Sequence, residues 1–187
     1  SPGQKADKFG NLCNLWLADA ESLLKESTIV KYKNLLRSYI LPALGQRDIE
    51  DILTEDICIF CNSLLEEGGA KGAGLSAKTV ADVISLLKTI QKYGLLRNYQ
   101  VNFLPACISV RQSQRTLRIL SIREEEQLYR YLDSERTLRN LGIMLCLFTG
   151  IRLGELCALK WDDISLTDKN MRICKTMQRI QDSSFEG

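Results

Sequence analysis

Histidine is absent from all 187 residues. That absence excludes His-based general acid–base catalysis and His-containing zinc sites from this chain. No apolar run reaches the roughly 18 residues a membrane span needs, and no charged-then-apolar leader opens the sequence, so neither a span nor a signal peptide is expected. Acidic residues are missing from a whole stretch: 83–123 holds no Asp or Glu, while Lys88, Lys92, Arg97, Arg111, Arg115, Arg118 and Arg123 fall within it. The net charge is only +2, so this basic run stands out by its placement. It reads as a surface for a polyanion such as nucleic acid, the alternative being a solvated connector.

The seven cysteines form no zinc pattern. Cys58-x-x-Cys61 lies inside a helical repeat with no second pair at ligand spacing. Buried small side chains in a reducing cytosol explain the cysteines better than metal or redox chemistry. With 45% apolar residues the chain can build a real core. Its length suits one large domain or two small ones.

Helical spacing dominates the first half. Apolar positions predict a helix over 8–24. A second helix follows, capped at Ser27-Thr28 and ended by Pro42 and Gly45. A third starts at Thr54 with Glu55 and Asp56 at the positive end of its dipole and buries Ile57, Phe60, Cys61 and Leu64. The glycine-rich stretch 68–74 lacks the Gly-Lys-Ser/Thr ending of a phosphate-cradling loop and reads as a connector. Ser76 caps a fourth helix with Val80, Val83, Ile84, Leu87 and Ile90 inside and Gly94 as its stop. Residues 99–119 read as a linker.

Ser121-x-x-Glu124 is a capping box that opens the next helix. The apolar run 141–148 reads as a largely buried helix stopped at Gly150, which takes the left-handed conformation readily. Arg152 then starts a short amphipathic segment. Alternation over 170–181 predicts a strand entered through a turn at Asp168-Lys169-Asn170, with its partner strand expected beyond Gly187.

Arginine suits phosphate, since its planar fork makes two parallel charge-assisted hydrogen bonds and never loses its charge. Alone, an Arg-x-x-Glu pair is more often a solvated surface pair. The surrounding pattern is more specific. Thr149-Gly150-x-Arg152-x-x-Glu155-Leu156-x-x-Leu159-x-Trp161-x-Asp163-Ile164 resembles the first conserved box of the tyrosine site-specific recombinases, the integrases of phages and transposons. Ser27-Thr28 through Tyr32 to Leu41-Pro42 and Leu44-Gly45, and Ser76-x-x-Thr79-Val80, resemble that family's core-binding domain.

The resemblance implies a mainly α protein. A four-helix, SAM-like core-binding bundle would occupy 1–98 and a basic linker 99–119. The first helices and strand of an α+β catalytic domain would fill 120–187. It implies double-stranded DNA as partner, cytoplasmic work, and strand cleavage and rejoining through a phosphotyrosine without metal, ATP or other cofactor. Arg152 would touch the scissile phosphate and Glu155 would support it. Lys71, Lys78, Thr79, Lys88, Arg111, Arg115 and Arg118 would contact DNA. The family also uses a lysine on a β-hairpin turn, a His-x-x-Arg box and a late tyrosine. The tyrosines here (32, 39, 93, 99, 129, 131) all precede Arg152, and Lys175, expected inside a strand, is not assigned the lysine's role. These residues alone are therefore expected to bind DNA without cutting it. The family assembles as tetramers on paired sites, while this stretch alone is compatible with a monomer. Two other readings remain: a non-enzymatic module that occupies recombination sites, and a helical protein-interaction domain without DNA affinity.

Overall fold

The computed structural model describes residues 7–69, 72–111, 117–135 and 137–178. They divide into two compact units, one within Ser1–Gln114 and one within Arg115–Ile180. Among the described residues no helix is long and apolar enough to cross a membrane.

The first unit is helical: α1 Phe9–Glu21, α2 Glu26–Leu35, a π-helical turn Leu36–Ile40, α3 Leu41–Leu44, α4 Thr54–Glu67 and α5 Ala77–Leu96. Its core takes Phe9, Leu12 and Trp16 from α1, Ile29 from α2, Ile57 and Phe60 from α4, and Val80, Val83, Leu87 and Ile90 from α5. Each such side chain contributes roughly 1.5–3 kcal/mol by leaving water. Ser76 caps α5 as expected, its hydroxyl accepting from Thr79 N–H at 3.2 Å.

Four local expectations fail here, each for a physical reason. Helix α2 begins at Glu26, so Ser27 and Thr28 lie in its first turn, and Lys25, the capping position, offers no side-chain acceptor. Pro42 does not stop the helix. The backbone stays helical from the wider π turn, in which Leu41 N–H donates to Leu36 O, directly into α3, and Pro42 follows that widening, a local irregularity of the kind that accommodates a proline inside a helix. Gly94 lies buried inside α5 and not at its end. A Cβ there would meet Leu12 Cδ2 at 3.0 Å and Val101 Cγ2 at 3.1 Å, so the glycine makes room for packing; Asn98, with φ 62°, follows the helix end. Lastly, 99–110 is not a free linker. Phe103 is fully buried, and Tyr99, Val101, Ile108 and Val110 pack against the same core. The segment is tied down by Gln91 Nε2 donating to Phe103 O (2.7 Å), Asn102 Nδ2 to Glu50 O (2.7 Å) and Leu104 N to Thr54 Oγ1 (2.9 Å).

Thr54 therefore anchors that segment. The α4 terminus is capped instead by Asp56, whose carboxylate accepts from Leu53 N–H at 2.8 Å and pairs with Arg47 at 2.8 Å. Arg47 first, then the Leu53 N–H, hold the Asp56 carboxyl below its ordinary 3.8. A carboxyl depressed in the folded state adds stability above its unfolded pKa and loses it as pH falls through the folded one. Acidification below about pH 4 is thus expected to destabilise this unit, and Asp56→Asn to flatten that acid limb. Urea midpoints at neutral and acid pH check it; equal acid sensitivity in both proteins would refute the assignment.

The second unit holds α6 Ile122–Ser134, α7 Leu138–Thr149, α8 Leu153–Ala158, and a hairpin of β1 Ile164–Ser165 with β2 Asn170–Met171. The box at Ser121 forms: its hydroxyl accepts from Glu124 N–H, and Glu124 accepts from Ser121 N–H at 2.9 Å. Two expectations are corrected. Helix α7 is apolar but not largely buried: Leu138, Leu141 and Phe148 are exposed, because the described elements of this unit cover only one side of it. The strand is short and its partner lies upstream, with Ile164 opposite Met171 and Ser165 opposite Asn170 in antiparallel register. The expected turn is correct, and Lys169 takes φ 53° there.

Candidate phosphate and nucleic-acid site

Helix α7 ends on Gly150 with φ 70° and ψ 11°, its N–H returning to Cys146 O at 2.9 Å. Thr149 secures this corner from both sides: its hydroxyl donates to Leu145 O at 2.6 Å and accepts from Ile151 N–H at 3.3 Å. The chain turns once, and Arg152 becomes the N-cap position of α8. Glu155, three residues on, closes two contacts back. Its Oε2 accepts from Arg152 N–H at 3.0 Å, and its Oε1 accepts from the guanidinium Nη1 at 3.0 Å.

That backbone N–H first, then the guanidinium, hold the Glu155 carboxyl below its usual 4.5. The two partners differ in exposure: the Arg152 side chain is 85% exposed and that of Glu155 21%. Glu155 thus holds one edge of the guanidinium from a fixed helix, while the rest of the fork faces outward. Such an arrangement can receive an oxyanion with two parallel hydrogen bonds.

Lys175 alters the picture drawn from sequence. It lies outside the strand, which ends at Met171, and lines the same small recess as Glu155, Asp163 and Arg172. The signal that could have revealed it is the hairpin register, which a single short alternation does not supply. Arg172 braces the recess, its N–H donating to Asp163 O at 2.9 Å and its guanidinium pairing with Asp163 Oδ1 at 3.4 Å.

The other predicted contacts fall in the first unit or beside α6. Lys78 and Lys88 are exposed on α5, as is Lys92. At about 100° per residue these three fall within roughly an 80° arc of the helix. Among the described residues none of them has an acidic partner, whereas Lys31, Lys33, Arg47 and Arg97 are paired with Asp82, Glu21, Asp56 and Asp19. Thr79 is half-buried and its hydroxyl bonds that of Ser76 at 2.9 Å, so it serves the cap. Arg111 is exposed. Arg118 is 80% exposed but pairs with Glu124. Lys71 and Arg115 lie outside the described residues.

Burial pushes the Cys13 thiol up to about 12 and the Cys61 thiol up to about 11, which keeps both protonated and unreactive at neutral pH.

Residues 8–65 match the family model described as phage integrase, N-terminal SAM-like domain, and residues 118–183 match the phage integrase family. The integrase of Escherichia phage lambda is 29% identical over 154 residues, covering 80% of this chain and 41% of that protein. Tyrosine recombinase XerC of Bacillus licheniformis is 32% identical over 146 residues, covering 74% of this chain and 46% of that protein. The chain thus spans less than half the length of these relatives. Two solved structures share the fold. One is the Tn1549 transposon integrase in complex with circular intermediate DNA, with a TM-score of 0.74 at 18% identity over 90% of this chain and 54% of that one. The other is a lambda integrase dimer bound to a COC' core site, with a TM-score of 0.69 at 23% identity over 85% and 43%. Matched in both of its compact units, and carrying the Arg152–Glu155 box between a glycine-capped helix and a hairpin, the chain belongs to the phage integrase family of tyrosine recombinases.

Proposed function

We propose that this chain is the core-binding domain and the first part of the catalytic domain of a recombinase that cuts and rejoins DNA at specific sites in the cytoplasm. The observation that carries the reading is Arg152: a guanidinium held along one edge by Glu155, at a rigid corner, with most of its surface open. Arg152 binds the scissile phosphate and stabilises the charge that builds on its oxygens as the strand is attacked. Glu155 orients that fork. Lys175, which lies off the hairpin turn, is not assigned the part of the family's lysine. The nucleophilic tyrosine and the His-x-x-Arg box are not among these 187 residues, so this stretch binds DNA without cleaving it. No metal or other cofactor enters the chemistry, and the complete recombinases pair on two DNA sites.

Affinity comes from the unpaired lysines of α5, with Arg111, Arg115, Arg118 and Lys71 adding backbone contacts. Each neutralised phosphate steepens the fall of log affinity with log salt by about 0.9. Titrating duplex DNA at several salt concentrations should give a steep slope. Lys88→Ala and Lys92→Ala should each shallow it by about 0.9 without favouring any sequence. Absence of binding at low salt would sink this reading and the non-enzymatic DNA-module reading together, leaving a protein-interaction domain.

A further inference from the structure

Helix α5 carries a single acid. Asp82 is the only Asp or Glu between Ala77 and Leu96, and the last acid before the acid-free stretch 83–123. It stands four residues after Lys78, about one turn further along the helix and about 40° round from it. That puts it beside the arc of Lys78, Lys88 and Lys92. At this spacing Lys78 is its local partner on the helix. The carboxylate reaches to α2 instead: Lys31 Nζ lies 2.9 Å from Asp82 Oδ2, with the two side chains 49% and 29% exposed. Among the described residues this leaves Lys78 and Asp82 Oδ1 without a partner.

For a surface that takes up phosphates this pair is a handicap. It cancels the charge of Lys31 and sets a carboxylate beside the lysines that meet the DNA backbone. An exposed ion pair adds little to stability, so tying α2 to α5 does not account for it. A group that weakens contact with every sequence raises specificity when one sequence relieves the penalty. An ionised carboxylate only accepts hydrogen bonds. In the major groove, the base-edge donor that suits it is the N4 amino group of cytosine.

We propose that Asp82, held by Lys31, is a specificity-determining residue: it lowers affinity for DNA in general and accepts a hydrogen bond from a cytosine amino group at the preferred site. The proposal rests on the reading of α5 as a DNA-binding face and adds the group that reads a base there. Lys31 orients the carboxylate through Oδ2 and leaves Oδ1 for the base.

The test uses the full 187-residue chain, a duplex of arbitrary sequence titrated at several salt concentrations, and selection from a pool of randomised duplexes. Asp82→Asn releases Lys31 to neutralise a phosphate. It should bind the arbitrary duplex more tightly than wild type, with a salt slope steeper by about 0.9, so that its advantage shrinks about 3.5-fold between about 50 and 200 mM salt. A structural tie would not steepen the slope when broken. Lys31→Ala leaves the carboxylate uncompensated and should bind more weakly, with a shallower slope. The double variant should return close to the wild-type slope. In the selection, wild type should enrich a cytosine at one position, and Asp82→Asn should lose that preference. Glu21→Gln is the control for net charge. Its partner Lys33 lies about 200° round α2 from Lys31, so the slope should not change. The proposal is overturned if Asp82→Asn binds with an unchanged slope, if it selects the same sequences as wild type, or if Glu21→Gln steepens the slope equally. Failure of the underlying reading looks different: in that case wild type shows no salt-dependent binding, or Lys88→Ala and Lys92→Ala leave its slope unaltered.

Discussion

Replacing Arg152 by alanine in the full-length recombinase proposed above is expected to reduce strand cleavage by about a thousandfold or more, while affinity for duplex DNA falls by less than about tenfold. The asymmetry follows from what the guanidinium does. Arginines that stabilise transferring phosphoryl groups contribute roughly 10³–10⁵ in rate, whereas one phosphate contact among many changes affinity modestly. The local fold should tolerate the change. The Glu155 contact to the backbone N–H of residue 152 does not depend on the side chain, so α8 keeps its cap. Arg152→Lys should recover only part of the rate, because an ammonium retains the charge but not the fork. Glu155→Ala is a harsher change for the structure, since it removes the cap and the orienting contact at once. Single-turnover cleavage of a nicked or suicide duplex, set beside equilibrium binding, separates these effects. A parallel loss of cleavage and binding in Arg152→Ala would make Arg152 a binding or folding residue.

Phe103→Ala should destabilise the first unit by about 3–5 kcal/mol, the range for deleting a buried phenylalanine. That is a large share of the roughly 5–15 kcal/mol by which a domain is stable. Phe103 is fully buried and meets Phe9 edge-on, with ring centroids 5.7 Å apart and planes at 85°. The loss therefore includes the aromatic pair as well as the cavity. The segment around it is fixed by three hydrogen bonds to elements distant in sequence, so collapse of the chain into the void is limited. Leu104→Ala next door is the control: Leu104 is 54% exposed, and its change should stay within about 0.5 kcal/mol. Urea unfolding of the two variants decides the matter, and a Phe103→Ala loss under about 1 kcal/mol would show that this segment is a linker after all. For the same reason, a protein ending at residue 98 should fold poorly, because Phe9 would lose its partner.

What the sequence determined by itself was local. The apolar period marked the helices, since a buried stripe at 3.6-residue spacing has one regular solution. Ser76 and Ser121 marked helix starts and Gly150 a helix end, because each satisfies or relieves backbone groups within a few residues of itself. The Arg152–Glu155 pair was legible for that reason too: three residues on one helical turn bring the carboxylate back to the N–H and the guanidinium. Tertiary structure decided what depends on neighbours far along the chain. Gly94 looked like a stop but makes room for Leu12 and Val101. Pro42 looked like a break, but the helix runs through it by way of the π turn Leu36–Ile40. Phe103 looked like linker until Phe9, 94 positions earlier, supplied its pocket. Lys175 looked like one residue of a strand. The early end of β2 leaves it outside the strand, among the residues that line a small recess with Glu155. Hydrogen bonds and caps within one turn are written in adjacent letters; a cavity or a clash exists only once distant segments meet, and no short stretch of sequence carries that contact.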